Sequence, residues 1–265
     1  DRGLPLFCEK PLARTLDGCE ELAQAARKVP HQVGLLLRHA PALKAMREIV
    51  RSGRYGRPMG AVLRDDQAFP IDGIYGSTWR ADVNAAGGGT LIEHSIHDVD
   101  LLTWILGVPE LVSGRTANFS AHPGIEDLAA VTLSYPGGAT ALVFSLWHQI
   151  EGRNTSRRLE IFCEEAMVWL ESELGPVYVE TSAGREEINA EIPAFVSRLD
   201  LAGVPEEWKV MAAAFAVEDK PFLDALTLRG PSARGTPDVE EALVAHRIVD
   251  AAYRSAAQGG IPLGI

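Results

Sequence analysis

The sequence predicts a chain that is α/β at its start and α+β after it. Residues 1–38 read as the C-terminal remnant of a doubly wound domain. Residues 39–265 read as a large, mostly antiparallel open-faced sheet with helices on one face. Three observations carry this. An apolar run, a helical run and a second apolar run follow one another within the first 38 residues. From Leu111 onward, short segments with partial period-two alternation are separated by turn signals. The segments 41–52, 90–106 and 238–257 each carry an apolar stripe that could cover one side of such a sheet.

In chain order, Leu4 to Cys8 is a buried strand that ends in the charged turn Glu9-Lys10-Pro11. A residue before proline is held out of the helical region, so Lys10 sits at a strand mouth, and the carboxyl ends of strands in open α/β sheets are where ligands bind. Thr15 and Asp17 precede a helical run, Cys19 to Lys28, and Val33 to Leu37 is the next buried strand, with Arg38 ending it. Pro41 to Ser52 is an amphipathic helix, stopped by Gly53 and Gly56. Met59 to Asp65 alternates as a strand, and 66–86 is an irregular loop that carries Trp79-Arg80.

The strands that follow are Val112–Phe119, Leu128–Tyr135, Thr140–Trp147, Arg157–Cys163, Ala166–Glu171 and Pro176–Thr181, with hairpin turns at Pro136-Gly137-Gly138 and Glu164-Glu165. Met211 to Leu226 is a helix whose Glu218, Asp219 and Lys220 read as a solvated face. Leu228 to Pro237 is a Pro/Gly loop before an Asp238-capped helix, Val239 to Ala257, in which His246 is structural. The open sheet face, expected to show Val131, Leu133 and Val143, is too apolar to stay wet and is expected to pair with a second subunit.

Composition narrows the function. A net charge of −11 argues against a nucleic-acid or anionic-membrane surface. No apolar run reaches the roughly 20 residues that span a bilayer. Cys8, Cys19 and Cys163 lack metal or redox spacing and read as free thiols of a reducing, cytoplasmic compartment.

The chemistry concentrates in Gly87-Gly88-Gly89 and the helical run after it, whose polar stripe holds Glu93, His97, Asp100 and Trp104. A histidine one turn from a carboxylate suits general acid/base work near neutral pH. Taken alone, the pair fits a solvated surface pair as well. His94 and His97 permit a metal reading that no HExxH motif or cysteine partner supports, so no metal is expected.

The ordered set Cys8-Glu9-Lys10-Pro11-Leu12-Ala13, Trp79-Arg80, Gly87-Gly88-Gly89 with Glu93, His97, Asp98 and Asp100, then Glu126-Asp127 and Tyr135-Pro136-Gly137-Gly138-Ala139 resembles the glucose-fructose oxidoreductase, inositol dehydrogenase and MocA (Gfo/Idh/MocA) family of NAD(P)-dependent oxidoreductases. The resemblance implies a Rossmann domain before a substrate-binding and oligomerisation domain, and hydride exchange between NAD or NADP and a secondary alcohol of a sugar, polyol or similar small molecule. It implies Lys10, His97 and Glu93 as catalytic and substrate-binding residues. Glu9, Lys10, Pro11, Arg38, Trp79 and Arg80 would line the cofactor, and the assembly would be a homodimer or homotetramer. Glu93 departs from the family's commoner aspartate and reaches one methylene further. Only nine residues precede Lys10 and no G-x-G-x-x-G fingerprint is present. The expectation is that the front of the nucleotide-binding domain lies outside these 265 residues, which alone would be inactive. Two other readings stay open: a nicotinamide-using lyase or glycoside hydrolase, and a non-catalytic subunit made of the substrate domain alone.

Overall fold

The computed structural model describes residues 2–71, 76–150, 152–227 and 236–265. Strand β1 (Leu6–Glu9) and strand β2 (His31–Gly34) pair in parallel, Leu6 opposite His31, and helix α1 (Leu16–Ala26) crosses between them. The Thr15 side chain accepts from Gly18 N and fixes the start of α1. Strand β2 stops at Gly34 rather than running to Leu37. Leu36–His39 instead form a 3-10 turn that swings Arg38 and His39 into the interior, where Arg38 meets Asp100.

Helix α2 (Pro41–Arg51) opens with proline at its first turn and buries Ala42, Leu43, Met46 and Val50. Strand β3 (Pro58–Ala68) follows. The stretch read from sequence as irregular holds the end of β3, a 3-10 turn at Thr78–Ala81 and helix α3 (Val83–Ala86); its residues 72–75 lie outside the described residues. The run 90–106 is not one helix. Helix α4 (Thr90–Glu93) and helix α5 (Ile96–Leu106) meet at His94-Ser95, where Ser95 N donates to Thr90 O, one residue beyond the regular α-helical span.

The large sheet contains β3, β4 (Leu111–Ala117), β5 (Leu128–Ser134), β6 (Thr140–His148), β7 (Ser156–Cys163), β8 (Met167–Leu170), β9 (Val177–Thr181), β10 (Gly184–Ile188) and, at the C-terminus, β11 (Leu263–Gly264). Their order is β10-β9-β8-β7-β3-β6-β5-β4-β11, antiparallel except where β3 lies parallel to β6. β10 and β11 are edge strands absent from the sequence reading, since one carries a single apolar side chain, Ile188, and the other has two residues.

Helices α2, α5 and α7 (Val239–Ala257) cover one face of this sheet over Leu63, Val131, Leu133, Val143, Leu159 and Ile161. The expectation that Val131, Leu133 and Val143 line the open face is therefore corrected: period-two alternation separates two faces without saying which one the helices take. The open face instead shows Val62, Leu142, Phe144 and Phe162. Asp238 and Glu241 form a capping box at the start of α7, whose Val239, Ala242 and Leu243 pack with α1, β1 and β2 in a separate small cluster. Within α7, His246 Nε2 accepts from Leu12 N at 3.0 Å, the structural role expected of it.

Helix α6 (Glu206–Thr227) lies against β2 and the 3-10 turn, and its Phe222 meets Phe7 edge-on at 5.7 Å. Glu218 on it is fully buried, which corrects the solvated-face reading, and Gln32 Nε2 donates to its backbone carbonyl. Of the Pro/Gly loop expected at 228–237, residues 228–235 lie outside the described residues. No helix among the described residues is long and apolar enough to cross a membrane.

Candidate active site

Lys10 follows β1 directly, and its peptide bond to Pro11 is cis. Its ammonium donates to the Glu93 backbone carbonyl and lies 3.7 Å from Glu93 Oε1. The carboxyl end of β1 therefore faces the α4–α5 joint. The backbone there is set by glycine. Gly87 takes φ +84°, and a Cβ on Gly89 would fall 1.8 Å from the Glu126 carbonyl oxygen. The triple glycine thus lets α4 dock on the 125–127 segment. The Glu126 carboxylate accepts from Gly89 N, Leu91 N and the Tyr253 hydroxyl at 2.7, 2.9 and 2.8 Å, satisfying donors that a helix start leaves open.

Glu93 is 4% exposed, and its Oε1 accepts from both Arg80 Nε and Nη2 at 2.9 and 2.8 Å. Burial alone would raise its pKa, but Lys10 and Arg80 outweigh that and hold the carboxylate below its ordinary range. Burial, only partly offset by Glu93, lowers Lys10. Trp79, 44% exposed, stacks under the Arg80 guanidinium at 4.6 Å. His97 sits beside these groups. Burial, then the positive charges of Lys10 and Arg157, push its pKa well below the ordinary imidazole value, so at neutral pH it is an uncharged acceptor. Its Nδ1 is buried without a hydrogen-bond partner among the described residues. Among the described residues, the Glu93 carboxylate pairs with Lys10 and Arg80, which commits it to those cations and not to orienting the His97 ring.

The structure thus brings Lys10, Glu93, Arg80 and His97 to one place, with Trp79 at the rim and Glu9 and Pro11 flanking Lys10. Arg38 is engaged elsewhere: its Nε and Nη2 donate to Asp100 at 2.8 and 2.7 Å and its Nη1 to Glu241. Asp98 also holds the scaffold, through Arg157 Nε at 2.8 Å.

Sequence reasoning missed Asp65 and Arg157. Arg157 Nη2 lies 2.5 Å from Asp65 Oδ2, and His94 Nε2 lies 2.8 Å from the same oxygen. The signal was present: Ala61, Leu63 and Asp65 fall on one strand face, as do Arg157, Leu159 and Ile161, so two opposite charges occupy inward positions. They are direct partners in the β3–β7 register.

Comparison with known proteins bears on the family. Residues 43–169 match the model of the GFO/IDH/MocA C-terminal domain. A 1,5-anhydro-D-fructose reductase from Ensifer adhaerens is 38% identical over 143 residues, which cover 52% of this chain and 42% of that protein. An inositol 2-dehydrogenase from Pseudomonas fluorescens is 28% identical over 241 residues, 82% of this chain and 66% of that protein. The solved structure of an inositol dehydrogenase homolog complexed with NAD+ from Azotobacter vinelandii has a TM-score of 0.78 at 21% identity, over 99% of this chain and 72% of that one. The matches span 42%, 45% and 44% of the length of three curated relatives. Residues 43–169 thus match a GFO/IDH/MocA C-terminal domain, and the chain shares its fold with the solved inositol dehydrogenase homolog.

Proposed function

We propose that the protein bearing these residues transfers hydride between a nicotinamide cofactor, NAD or NADP, and a secondary alcohol carbon of a sugar, polyol or similar small molecule. The observation that supports this most directly is the meeting of Lys10, at the carboxyl end of β1, with Glu93 beside an uncharged His97. When bound, the nicotinamide supplies the carbon that takes up or gives back the hydride.

The chain's own residues do the rest. As an alcohol is oxidised its hydroxyl proton must leave, and the unprotonated imidazole of His97 accepts it. Negative charge gathers on the substrate oxygen, and the Lys10 ammonium, anchored by the Glu93 carbonyl, stabilises it. Glu93, clamped by Arg80, keeps Lys10 charged against the cost of burial and presents its remaining oxygen to a neighbouring hydroxyl. The exposed face of Trp79 offers a flat apolar wall for a ring. Glu9, Lys10, Pro11, Trp79 and Arg80 are the cofactor-side residues in this reading. Arg38 acts behind them as a strut, and residues 1–38 belong to the dinucleotide-binding domain while 39–265 bind substrate and oligomerise.

The inositol and anhydrofructose names of the relatives support a polyhydroxylated substrate. The test is a panel of polyols and sugars, offered with each nicotinamide to the full polypeptide bearing these residues and followed by cofactor absorbance. Oxidation of at least one panel member is expected, with His97→Ala reducing turnover by about 10²-fold or more. Unchanged turnover in that variant removes His97 from the role of base.

A further inference from the structure

Beneath the α4–α5 joint lies a set of side chains that the reaction above does not use. His94 Nε2 is 2.8 Å from Asp65 Oδ2, Asp65 is held by Arg157 at 2.5 Å, and Arg157 reaches Asp98 at 2.8 Å and Glu173 at 3.0 Å. Asp65 and Asp98 are fully buried, and Arg157 is 5% exposed. Buried charges of this kind add little to stability relative to an apolar core, so their arrangement calls for another account.

What they do is fix one imidazole. Nε2 lies 2.8 Å from Asp65 Oδ2 and 3.5 Å from Arg157 Nη2; the shorter contact to the carboxylate favours Nε2–H, which leaves the lone pair on Nδ1. That nitrogen is not among the buried unpartnered atoms, and the His94 side chain retains 16% of its surface. The break at His94-Ser95 decides where the ring goes. His97 N donates to His94 O at 3.3 Å, so the two histidines stand one helical turn apart, three positions along the chain, on neighbouring parts of one face.

We propose that His94 is a specificity-determining residue of the pocket, accepting through Nδ1 a hydrogen bond from the hydroxyl next to the one that His97 deprotonates, so that the site selects vicinal diols. Asp65 and Arg157 are its positioning residues. The proposal rests on the hydride-transfer reading for its kinetic consequence but not for its structural one, and the test has an arm for each.

In the structural arm, the imidazole nitrogens of the full chain are followed by long-range proton–nitrogen correlation while myo-inositol is added. His94 is expected to carry its proton on Nε2, and its Nδ1 signal to shift on addition of the polyol. Asp65→Asn should scramble the tautomer. A proton resident on Nδ1, or a His94 signal that no polyol of the panel moves, overturns the proposal. In the kinetic arm, His94→Gln and His94→Phe, checked for fold by circular dichroism, should raise KM for a vicinal diol by about tenfold or more, with a smaller change in kcat, because a hydroxyl is left without its acceptor. Unchanged KM in both variants also overturns it. If the unmodified protein oxidises no panel member with either nicotinamide, the hydride-transfer reading fails, and the nitrogen spectra still decide the role of His94.

Discussion

Asp65 and Arg157 show how one residue pair can govern a whole pocket. Replacing Arg157 with Met would leave Asp65 and Asp98 facing each other in the interior without a counter-ion, and removing one partner of such a pair costs about 3–5 kcal/mol. Chemical denaturation of Arg157→Met should register that loss, and it should exceed the effect of Arg158→Ala on the opposite, exposed face of β7. Asp98 already feels the crowding: burial and the neighbouring Asp65 push its carboxyl up to about 7. His97 is displaced the other way, by burial first and then by Lys10 and Arg157. For a base, a lowered pKa means that the active, unprotonated form persists into acid. The acid limb of kcat/KM for alcohol oxidation should therefore fall below pH 6.5, the ordinary imidazole value; a limb above 6.5 would contradict this environment. Little of it could be read from the chain. Lys10, Glu93 and His97 were legible as a motif, but Asp65 and Arg157 are 92 residues apart and meet only once β3 is inserted beside β7.

Elements were legible where periodicity and caps agree, and illegible where a neighbour overrides them. The capped start of α7 and the proline start of α2 follow from local sequence. The break between α4 and α5 does not, because its cause is the fit of Gly89 onto Glu126, which makes the first turn dock on another segment. Gly89→Ala should accordingly cost about 3 kcal/mol or more, a backbone overlap that no rotamer can relieve, and a thermal melt reads it directly. Helix α6 lies where the sequence put it, but the solvated reading of Glu218 on it failed for a related reason. Glu218 was assigned to solvent from its charged neighbours, yet it is fully buried, and neither carboxylate oxygen has a hydrogen-bond partner among the described residues. Burial, reinforced by Glu9 and Asp219, pushes its pKa up to about 8 from an ordinary 4.5. The folded chain thus holds a proton that the unfolded chain releases at lower pH, so stability falls as pH climbs from about 4.5 to about 8 and levels off above that. Glu218→Gln should remove this slope and raise the melting temperature at pH 8, and a variant melting curve that keeps the slope would place its origin elsewhere.

At the scale of the molecule, the open face of the large sheet is the unfinished part. One face is filled by α2, α5 and α7. On the other, Val62 and Leu142 are register partners, with Phe144 and Phe162 beside them, and these four are between 39% and 47% exposed. They lie on β3, β6 and β7, adjacent strands at the middle of a nine-stranded sheet, so they form a continuous patch and not scattered exposure. A patch of that kind is costly to leave wet, and Arg64, Arg158, Glu160 and Thr132 around it supply the polar rim found at protein interfaces. A second copy is the occupant that fits best: a sheet face packing on its own image about a twofold axis buries the same side chains on both sides, and a sheet of this width offers the roughly 800 Å² per partner that a stable interface needs. We therefore expect self-association at micromolar concentration, seen by sedimentation velocity. Leu142→Glu combined with Phe144→Glu would place carboxylates at the centre of the seam, where burying an unpaired charge is costly, and should yield monomer with an unchanged circular dichroism spectrum, since neither side chain belongs to the helix-covered core. A wild-type chain that sediments as a monomer at every concentration, or a double variant that associates as the wild type does, would move the interface away from this face.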